Sequence, residues 1–288
     1  MSAFTVRAFA KINLSLRIKD VRPDGFHEVQ TILQAIDLSD RLTCEARRGP
    51  FEIVCAAPGV PADRTNLIWK AAEGLWDAAG RSGQPRDARI VLDKKIPMKA
   101  GLGGGSSDAA AALLALRRAW KLRVSDQELN ATASGLGSDV PYFFVGGTAL
   151  GLGRGEDVFP LEDLPRLWVV LIFPPFGVAT ADAYGWFDAQ RARRSLEAEA
   201  GYLAGTWLGR VVPLVNDLER PVTERHPVIG RLKEKMMKMG ASMAAMSGSG
   251  STVFGIFTGA RAAESAARKL ARSGADVLCT RFLNRPKH

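Results

Sequence analysis

The feature that most constrains this chain is a glycine-rich stretch that runs directly into an apolar, helix-forming segment. Alanine and leucine favour helix, so a helix is predicted to begin at about Ser107, with Ser106 or Ser107 as its N-cap. Glycines let a backbone approach a ligand closely, and a helix N-terminus attracts anions, so the stretch predicts a phosphate site. It reads Pro97-Met98-Lys99-Ala100-Gly101-Leu102-Gly103-Gly104-Gly105-Ser106-Ser107, and Asp108-Ala109-Ala110-Ala111-Ala112-Leu113-Leu114 follows.

A flexible linker or a tight turn is the alternative interpretation of this stretch. It is the weaker one, because linkers rarely pass directly into an apolar helix and because Ile90-Val91-Leu92 upstream predicts a strand. The stretch is not a Walker A motif, since no Gly-Lys-Ser/Thr follows it. It is not the Rossmann pattern either, since Ser106 occupies the position of the third glycine. The residues alone indicate a phosphate without saying which one.

Length and composition exclude several classes of protein. The chain of 288 residues has room for one large or two ordinary domains. Its longest apolar run, residues 167–173, is too short to cross a membrane, and its first residues lack the pattern of a signal peptide. Cys44, Cys55 and Cys279 have neither disulfide nor zinc spacing, which favours reduced thiols in a cytoplasmic protein. No protein metal ligand is assigned.

The net charge of +9 attracts polyanions, among which nucleotides and nucleic acids compete as interpretations. The basic residues are dispersed, and their only local cluster is Arg191, Arg193 and Arg194. No zinc-finger or RNA-recognition motif accompanies them. A solvated basic face is therefore favoured, and no nucleic-acid partner is predicted.

Periodicity predicts a mixed α+β protein in two parts. Residues 6–18 alternate between apolar and polar, as in a half-buried strand, which places Lys11 and Asn13 on one face. Helices are predicted at 66–79, 189–209, 227–239 and 260–273, and strands at 167–173, 253–257 and 277–282. Prolines in 157–165 mark the best boundary, dividing the chain into domains 1–160 and 161–288.

Four stretches in this order resemble motifs of the GHMP kinases. They are Ala10-Lys11-Ile12-Asn13-Leu14, the glycine-rich stretch 97–107, Gly135-Leu136-Gly137-Ser138-Asp139-Val140-Pro141 and Met246-Ser247-Gly248-Ser249-Gly250-Ser251-Thr252. The resemblance implies an N-terminal domain like domain 2 of ribosomal protein S5 and a ferredoxin-like C-terminal domain, with the active site between them. It also implies ATP and Mg²⁺, with ATP bound by residues 97–107.

The resemblance assigns catalysis to Lys11 and Asp139. Phosphoryl transfer needs a group that orients the attacking hydroxyl and accepts its proton, and an ionised Asp139 beside Lys11 can do that. Lys11 would stabilise the charge that forms. On local sequence alone, Lys11 could be a solvent-facing residue of an edge strand, and Asp139 could cap a helix that begins at Pro141.

Asp24-Gly25-Phe26-His27 resembles the Asp-Gly-Tyr-His of family members whose acceptor carries a cytidine diphosphate headgroup. There the aromatic stacks on cytosine and the histidine reads the edge of the base. Phe26 replaces the tyrosine, which keeps the π-face and loses the hydroxyl. Tyr184 is expected to be a second aromatic against the base. The alternative for His27 is an ordinary surface residue of a loop.

The remaining assignments are weaker. Asn66 resembles a residue that contacts adenine, although a helix N-cap explains it equally well. Asn13, Gly248 and Ser249 are expected to bind the acceptor, although the segment 246–252 could be a simple turn. Ser107 is a possible Mg²⁺ ligand by position. Asn216-Asp217-Leu218-Glu219 also matches the family, without a role that the sequence supplies.

The resemblance thus implies a kinase that moves the γ-phosphoryl of ATP to a hydroxyl of a small alcohol with a cytidine diphosphate headgroup. It would work as a monomer or a weak homodimer. A sibling GHMP kinase acting on another alcohol and a nucleic-acid-binding protein of S5-like fold remain the alternatives.

Overall fold

The computed structural model describes residues 3–191 and 214–285. The strands, in chain order, are β1 Ala3–Val21, β2 His27–Pro50, β3 Glu52–Cys55, β4 Arg86–Asp93, β5 Thr148–Leu152, β6 Asp157–Pro160, β7 Trp168–Phe173, β8 Val215–Asn216, β9 Met243–Met246, β10 Val253–Phe257 and β11 Asp276–Arg281. The helices are α1 Leu67–Ala78, α2 Gly104–Ala119, α3 Asp126–Leu136, α4 Tyr142–Val145, α5 Thr180–Arg191, α6 Glu219–Arg225, α7 Val228–Lys238 and α8 Ala260–Arg272.

The strands form two sheets, as expected of an α+β protein with two parts. The first has the order β3-β4-β2-β1-β8, with β5 paired to β2 and β6 paired to β5. The second has the order β11-β7-β10-β9, and its described pairs are all antiparallel. The long β1 and β2 hairpin is the spine of the first sheet. The short β8 comes from beyond residue 160 and pairs with β1, so the chain crosses back into the first sheet.

The largest core lies between the first sheet and helices α1, α2 and α3. Ala109, Ala112 and Leu116 of α2 are buried against Leu75 of α1 and Ile90 of β4. Small alanines let α2 approach the sheet closely, which places its N-terminus beside β1. The packing of α2 therefore decides where the glycine-rich stretch is held.

Most predicted elements are confirmed within a residue or two, including the helices near 66–79, 227–239 and 260–273, and the strand predicted at 6–18 lies inside the longer β1. The predicted helix at 189–209 falls largely outside the described residues; α5 precedes it and ends at Arg191. The domain division at 160 and 161 stays a prediction.

The predicted start of α2 was wrong. The helix begins at Gly104 rather than at Ser107. Its N-cap is Gly103, which has a left-handed backbone conformation and no side chain to cap the helix. Propensity placed the start after the glycines because glycine is a poor helix former. Tertiary packing overrides that preference here, since a Cβ on Gly104 would lie 2.9 Å from Ile96 and 3.0 Å from the Lys94 ammonium.

Candidate active site

The glycine-rich stretch lies along the free edge of β1 and ends in the first turn of α2. The Lys11 N–H donates to the Leu102 carbonyl at 3.0 Å, so a backbone hydrogen bond joins the stretch to the edge of β1. Gly103 then turns with φ 69°, and a Cβ there would meet the Phe143 ring at 2.8 Å and Lys11 at 3.1 Å. The amides at the start of α2 are free of intrahelical partners by geometry. A helix N-terminus of this kind can hold an anion, and this one lies close to Lys11.

A second loop, residues 246–252, packs its backbone against the first; we call it the Gly/Ser loop. The Ser247 hydroxyl donates to the Gly101 carbonyl at 2.9 Å and accepts from the Asn13 N–H at 3.3 Å. The Thr252 N–H donates to the Ala100 carbonyl at 3.3 Å. A Cβ on Gly101, whose φ is 74°, would fall 2.1 Å from the Ser247 carbonyl oxygen. The two loops are this close only because Gly101 has no side chain.

Lys11 and Asp139 meet beside these loops. The Lys11 Nζ lies 3.2 Å from the Asp139 carboxylate and donates to Asn13 Oδ1 at 2.7 Å. The Lys11 side chain is 5% exposed and that of Asp139 is 36% exposed. Asn13 is fixed in turn, because its amide donates to the Thr31 hydroxyl at 2.8 Å. A buried ammonium thus faces a carboxylate that solvent and ligands can reach.

Both structural alternatives for this pair are wrong. Lys11 is not a solvent-facing residue of an edge strand, because the glycine-rich stretch covers that edge. Asp139 does not cap α4, whose N-cap position is Pro141 and which has no side-chain cap. The Asp139 carboxylate instead pairs with Lys11 from the turn between α3 and α4.

The residues expected to bind the cytosine lie at the start of β2 and on α5. His27 Nε2 is 2.8 Å from the Asp188 carboxylate, and the His27 ring lies 5.3 Å from that of Tyr184. Phe26 is 55% exposed, and the Arg154 guanidinium sits 5.1 Å from its ring centroid. Burial raises the pKa of Tyr184 to about 12, and the Asp139 carboxylate adds to the shift.

Two assigned residues have structural partners. Asn66 caps α1 by accepting from the Ile68 N–H at 2.9 Å, and its amide donates to the Pro61 carbonyl at 2.6 Å. The contact of Asn66 with adenine stays a prediction. Ser107 is buried, and its hydroxyl donates to the Phe9 carbonyl at 2.7 Å, which ties α2 to β1.

Comparison with known proteins agrees with this geometry. The model of the GHMP kinase N-terminal domain matches residues 66–147, and that of the GHMP kinase C-terminal domain matches residues 188–276. The 4-diphosphocytidyl-2-C-methyl-D-erythritol kinase of Moorella thermoacetica is 38% identical and aligns with 98% of this chain and 100% of its own. That of Pelotomaculum thermopropionicum is 42% identical over 97% of this chain and 98% of its own.

The chain belongs to the GHMP kinase family. A crystal structure of 4-(cytidine 5'-diphospho)-2C-methyl-D-erythritol kinase superposes with a TM-score of 0.77 at 36% identity, covering 97% of this chain and 99% of that one. The predicted GHMP kinase fold is confirmed. The chain is an ATP-dependent phosphotransferase.

Two features of this GHMP kinase bear on ions and membranes. Within residues 3–191 and 214–285, no three His, Cys, Asp or Glu side chains gather where they could hold a metal ion. Mg²⁺ commonly keeps several waters and binds substrate phosphates with one or two protein carboxylates, so it does not need such a cluster. The described helices include none with the length and apolarity to cross a membrane.

Sequence reasoning missed a buried charge cluster next to the glycine-rich stretch 97–107, which is called the phosphate loop below. Lys94 pairs with Asp40 and, at 2.9 Å, with Asp108 of α2. Asp40 also accepts from the Ile96 N–H at 2.8 Å, so the cluster holds both ends of the loop. The only signal was Asp40 in the interior of an apolar strand, and no spacing rule links it to residues 94 and 108.

We expect Gly101→Ala to lower the free energy of unfolding by more than about 2 kcal/mol, because its positive φ and the Ser247 carbonyl both exclude a Cβ. Gly105→Ala is the matched control. A Cβ there meets only Leu67, at 3.6 Å, and alanine favours helix, so stability should stay or rise by up to about 1 kcal/mol. Urea unfolding measures both. Equal losses in the two variants would contradict the close packing of the two loops.

Asp108 generates a pH prediction. Burial raises its pKa from 3.8 to about 7, with Lys94 opposing the shift and Asp40 adding to it, and its Oδ1 has no partner among the described residues. Between those values the folded protein keeps a proton that the unfolded chain releases, so stability falls as pH rises from about 4 to about 7. The free energy of unfolding lost over this pH range is on the order of 4 kcal/mol.

We expect Asp108→Asn to remove this dependence of the free energy of unfolding on pH. Urea unfolding of both proteins at several pH values between 4 and 8 measures it. If the two proteins differ by a constant amount at every pH, Asp108 does not titrate in this range.

Proposed function

We propose that this GHMP kinase transfers the γ-phosphoryl of ATP to the 2-hydroxyl of 4-diphosphocytidyl-2-C-methyl-D-erythritol. The products are the 2-phosphate and ADP, a step in non-mevalonate isoprenoid precursor synthesis. The observation that carries the proposal is the Lys11–Asp139 pair at 3.2 Å beside the phosphate loop and the Gly/Ser loop. The name shared by the full-length relatives supplies the acceptor.

In the proposed mechanism Asp139 accepts the proton of the 2-hydroxyl as its oxygen attacks the γ-phosphorus. The bond between that phosphorus and the bridging oxygen to the β-phosphate breaks, and its electrons leave with ADP. No phospho-enzyme forms. Lys11, buried and held by Asn13, stabilises the developing negative charge.

The nucleotide would bind along residues 97–107. The amides at the start of α2 and in the glycine turns suit the β- and γ-phosphates. The Gly/Ser loop closes the other side, with Gly248 next to Lys11 and Asn13: a Cβ on Gly248 would lie 3.5 Å from Nζ and 3.1 Å from Oδ1. We propose that Mg²⁺ arrives on the phosphates of ATP, since this ion commonly keeps several waters and binds through substrate phosphates.

The cytidine end would bind between β2 and α5. Phe26 is 55% exposed and so available for stacking, and the rings of His27 and Tyr184 lie together at 5.3 Å. We propose that the acceptor's base binds there while its 2-hydroxyl reaches Asp139. A sibling alcohol kinase would not need this aromatic group, and a nucleic-acid-binding protein would not need Asp139.

Asp139→Asn should lower kcat about 100-fold or more, because the amide cannot accept the hydroxyl proton. ADP release with the diphosphocytidyl alcohol as acceptor measures this in a coupled assay. Asp276→Asn, an exposed carboxylate on the second sheet, is the control and should retain full activity. An active Asp139→Asn enzyme would eliminate Asp139 as the base.

Phe26→Ala should raise the KM for the diphosphocytidyl alcohol by about tenfold or more, since stacking on a base is worth roughly 1–3 kcal/mol. The KM for ATP should change little. Phe159→Ala removes a comparably exposed phenylalanine, 51% against 55%, from β6 and is the matched control. Equal KM values for the alcohol in both variants would place the base elsewhere.

A further inference from the structure

The motif Asn216-Asp217-Leu218-Glu219 has no role in the mechanism above, yet it joins the elements that carry the mechanism. Asn216 belongs to β8, which pairs in parallel with β1. Its amide nitrogen donates to the Met246 carbonyl at 2.9 Å and to the Gly248 carbonyl at 2.7 Å. Its Oδ1 accepts from the Leu218 N–H at 3.0 Å. One side chain thus uses both its donors to hold the Gly/Ser loop.

Holding the Gly248 carbonyl fixes the direction of the next amide. In a planar trans peptide the carbonyl and the following N–H point in opposite directions. With the Gly248 carbonyl turned towards Asn216, the Ser249 N–H points away from it. Gly248 and Ser249 are buried, and neither of their N–H groups has an acceptor within the described ranges.

Buried, unpaired N–H groups beside a buried lysine form a site for an anion. An unsatisfied buried donor costs free energy unless a ligand completes it. Gly248 lies directly against Lys11 and Asn13, so the site adjoins the Lys11–Asp139 pair. A phosphoryl group in transfer between two oxygens carries the charge that such donors stabilise.

The neighbouring members of the motif have separate partners. Asp217 accepts from the Ile18 N–H at 2.8 Å and pairs with Arg17 at 3.2 Å, so it fastens the motif to β1 without touching the Gly/Ser loop. Glu219 accepts from the Met246 N–H at 2.7 Å. Asp217 is therefore a control inside the same motif.

We infer that Asn216 is a positioning residue of the kinase: it aims the Ser249 N–H at the phosphoryl group by holding the Gly248 carbonyl. The inference rests on the proposed function, because that function supplies the phosphoryl group. Asn216 acts through the loop, since its amide nitrogen and its Oδ1 are both engaged by protein backbone groups.

Asn216→Asp tests it. Aspartate has nearly the same size and keeps an oxygen for the Leu218 N–H, but replaces two donors by an acceptor that repels the Met246 and Gly248 carbonyls. The kcat should fall about 100-fold, as for the loss of one oxyanion donor, while both KM values stay within about threefold. Amide hydrogen exchange in residues 247–251 should become faster.

Asp217→Asn should lower the melting temperature and leave kcat within about threefold. A normal kcat in Asn216→Asp, or an equal loss of kcat in Asp217→Asn, would overturn the inference. If the wild-type enzyme does not phosphorylate the diphosphocytidyl alcohol, the proposed function fails on its own. Hydrogen exchange still decides in that case: unchanged exchange in Asn216→Asp refutes the hold on the loop, and faster exchange supports it.

Discussion

The contact between Lys11 and Asp139 is the interaction on which the site depends. An ammonium that is 5% exposed is costly unless charged and polar partners surround it. Asp139 supplies the charge and Asn13 the nearest hydrogen bond. Removing one partner of such a pair costs more than the pair itself contributes, because the remaining charge stays buried. The same geometry leaves the carboxylate partly open, as a base that meets a substrate must be.

Close backbone packing brings the rest of the machinery to this pair. The phosphate loop is hydrogen-bonded to the edge of β1 at Lys11. The Gly/Ser loop lies against the phosphate loop, with Gly101 at their contact. Beneath them, Lys94, Asp40 and Asp108 join the end of β4, the interior of β2 and the start of α2. Such a fully buried cluster adds little net stability but allows few alternative arrangements of the loop. A rigid, preorganised loop is what phosphoryl transfer requires of a protein.

The sequence was informative wherever local chemistry decided the outcome. The alternation of residues 6–18 placed Lys11 and Asn13 on one face, and the glycines marked the phosphate loop. Alternation cannot tell what covers a polar face, so the burial of Lys11 needed the structure. The start of α2 was misplaced because it depends on how Gly104 packs against Ile96 in the fold, which helix propensity does not take into account. The partnerships of Lys94 and Asn216 join distant parts of the chain, and no periodicity reports them.

The most direct measurement is a crystal structure of the enzyme with a non-hydrolysable ATP analogue and the diphosphocytidyl alcohol bound together. The account predicts an Asp139 carboxylate oxygen within about 2.6–3.2 Å of the 2-hydroxyl, with that hydroxyl in line with the γ-phosphorus and Lys11 beside both. A 2-hydroxyl that contacts another residue, with Asp139 turned to solvent, would contradict it.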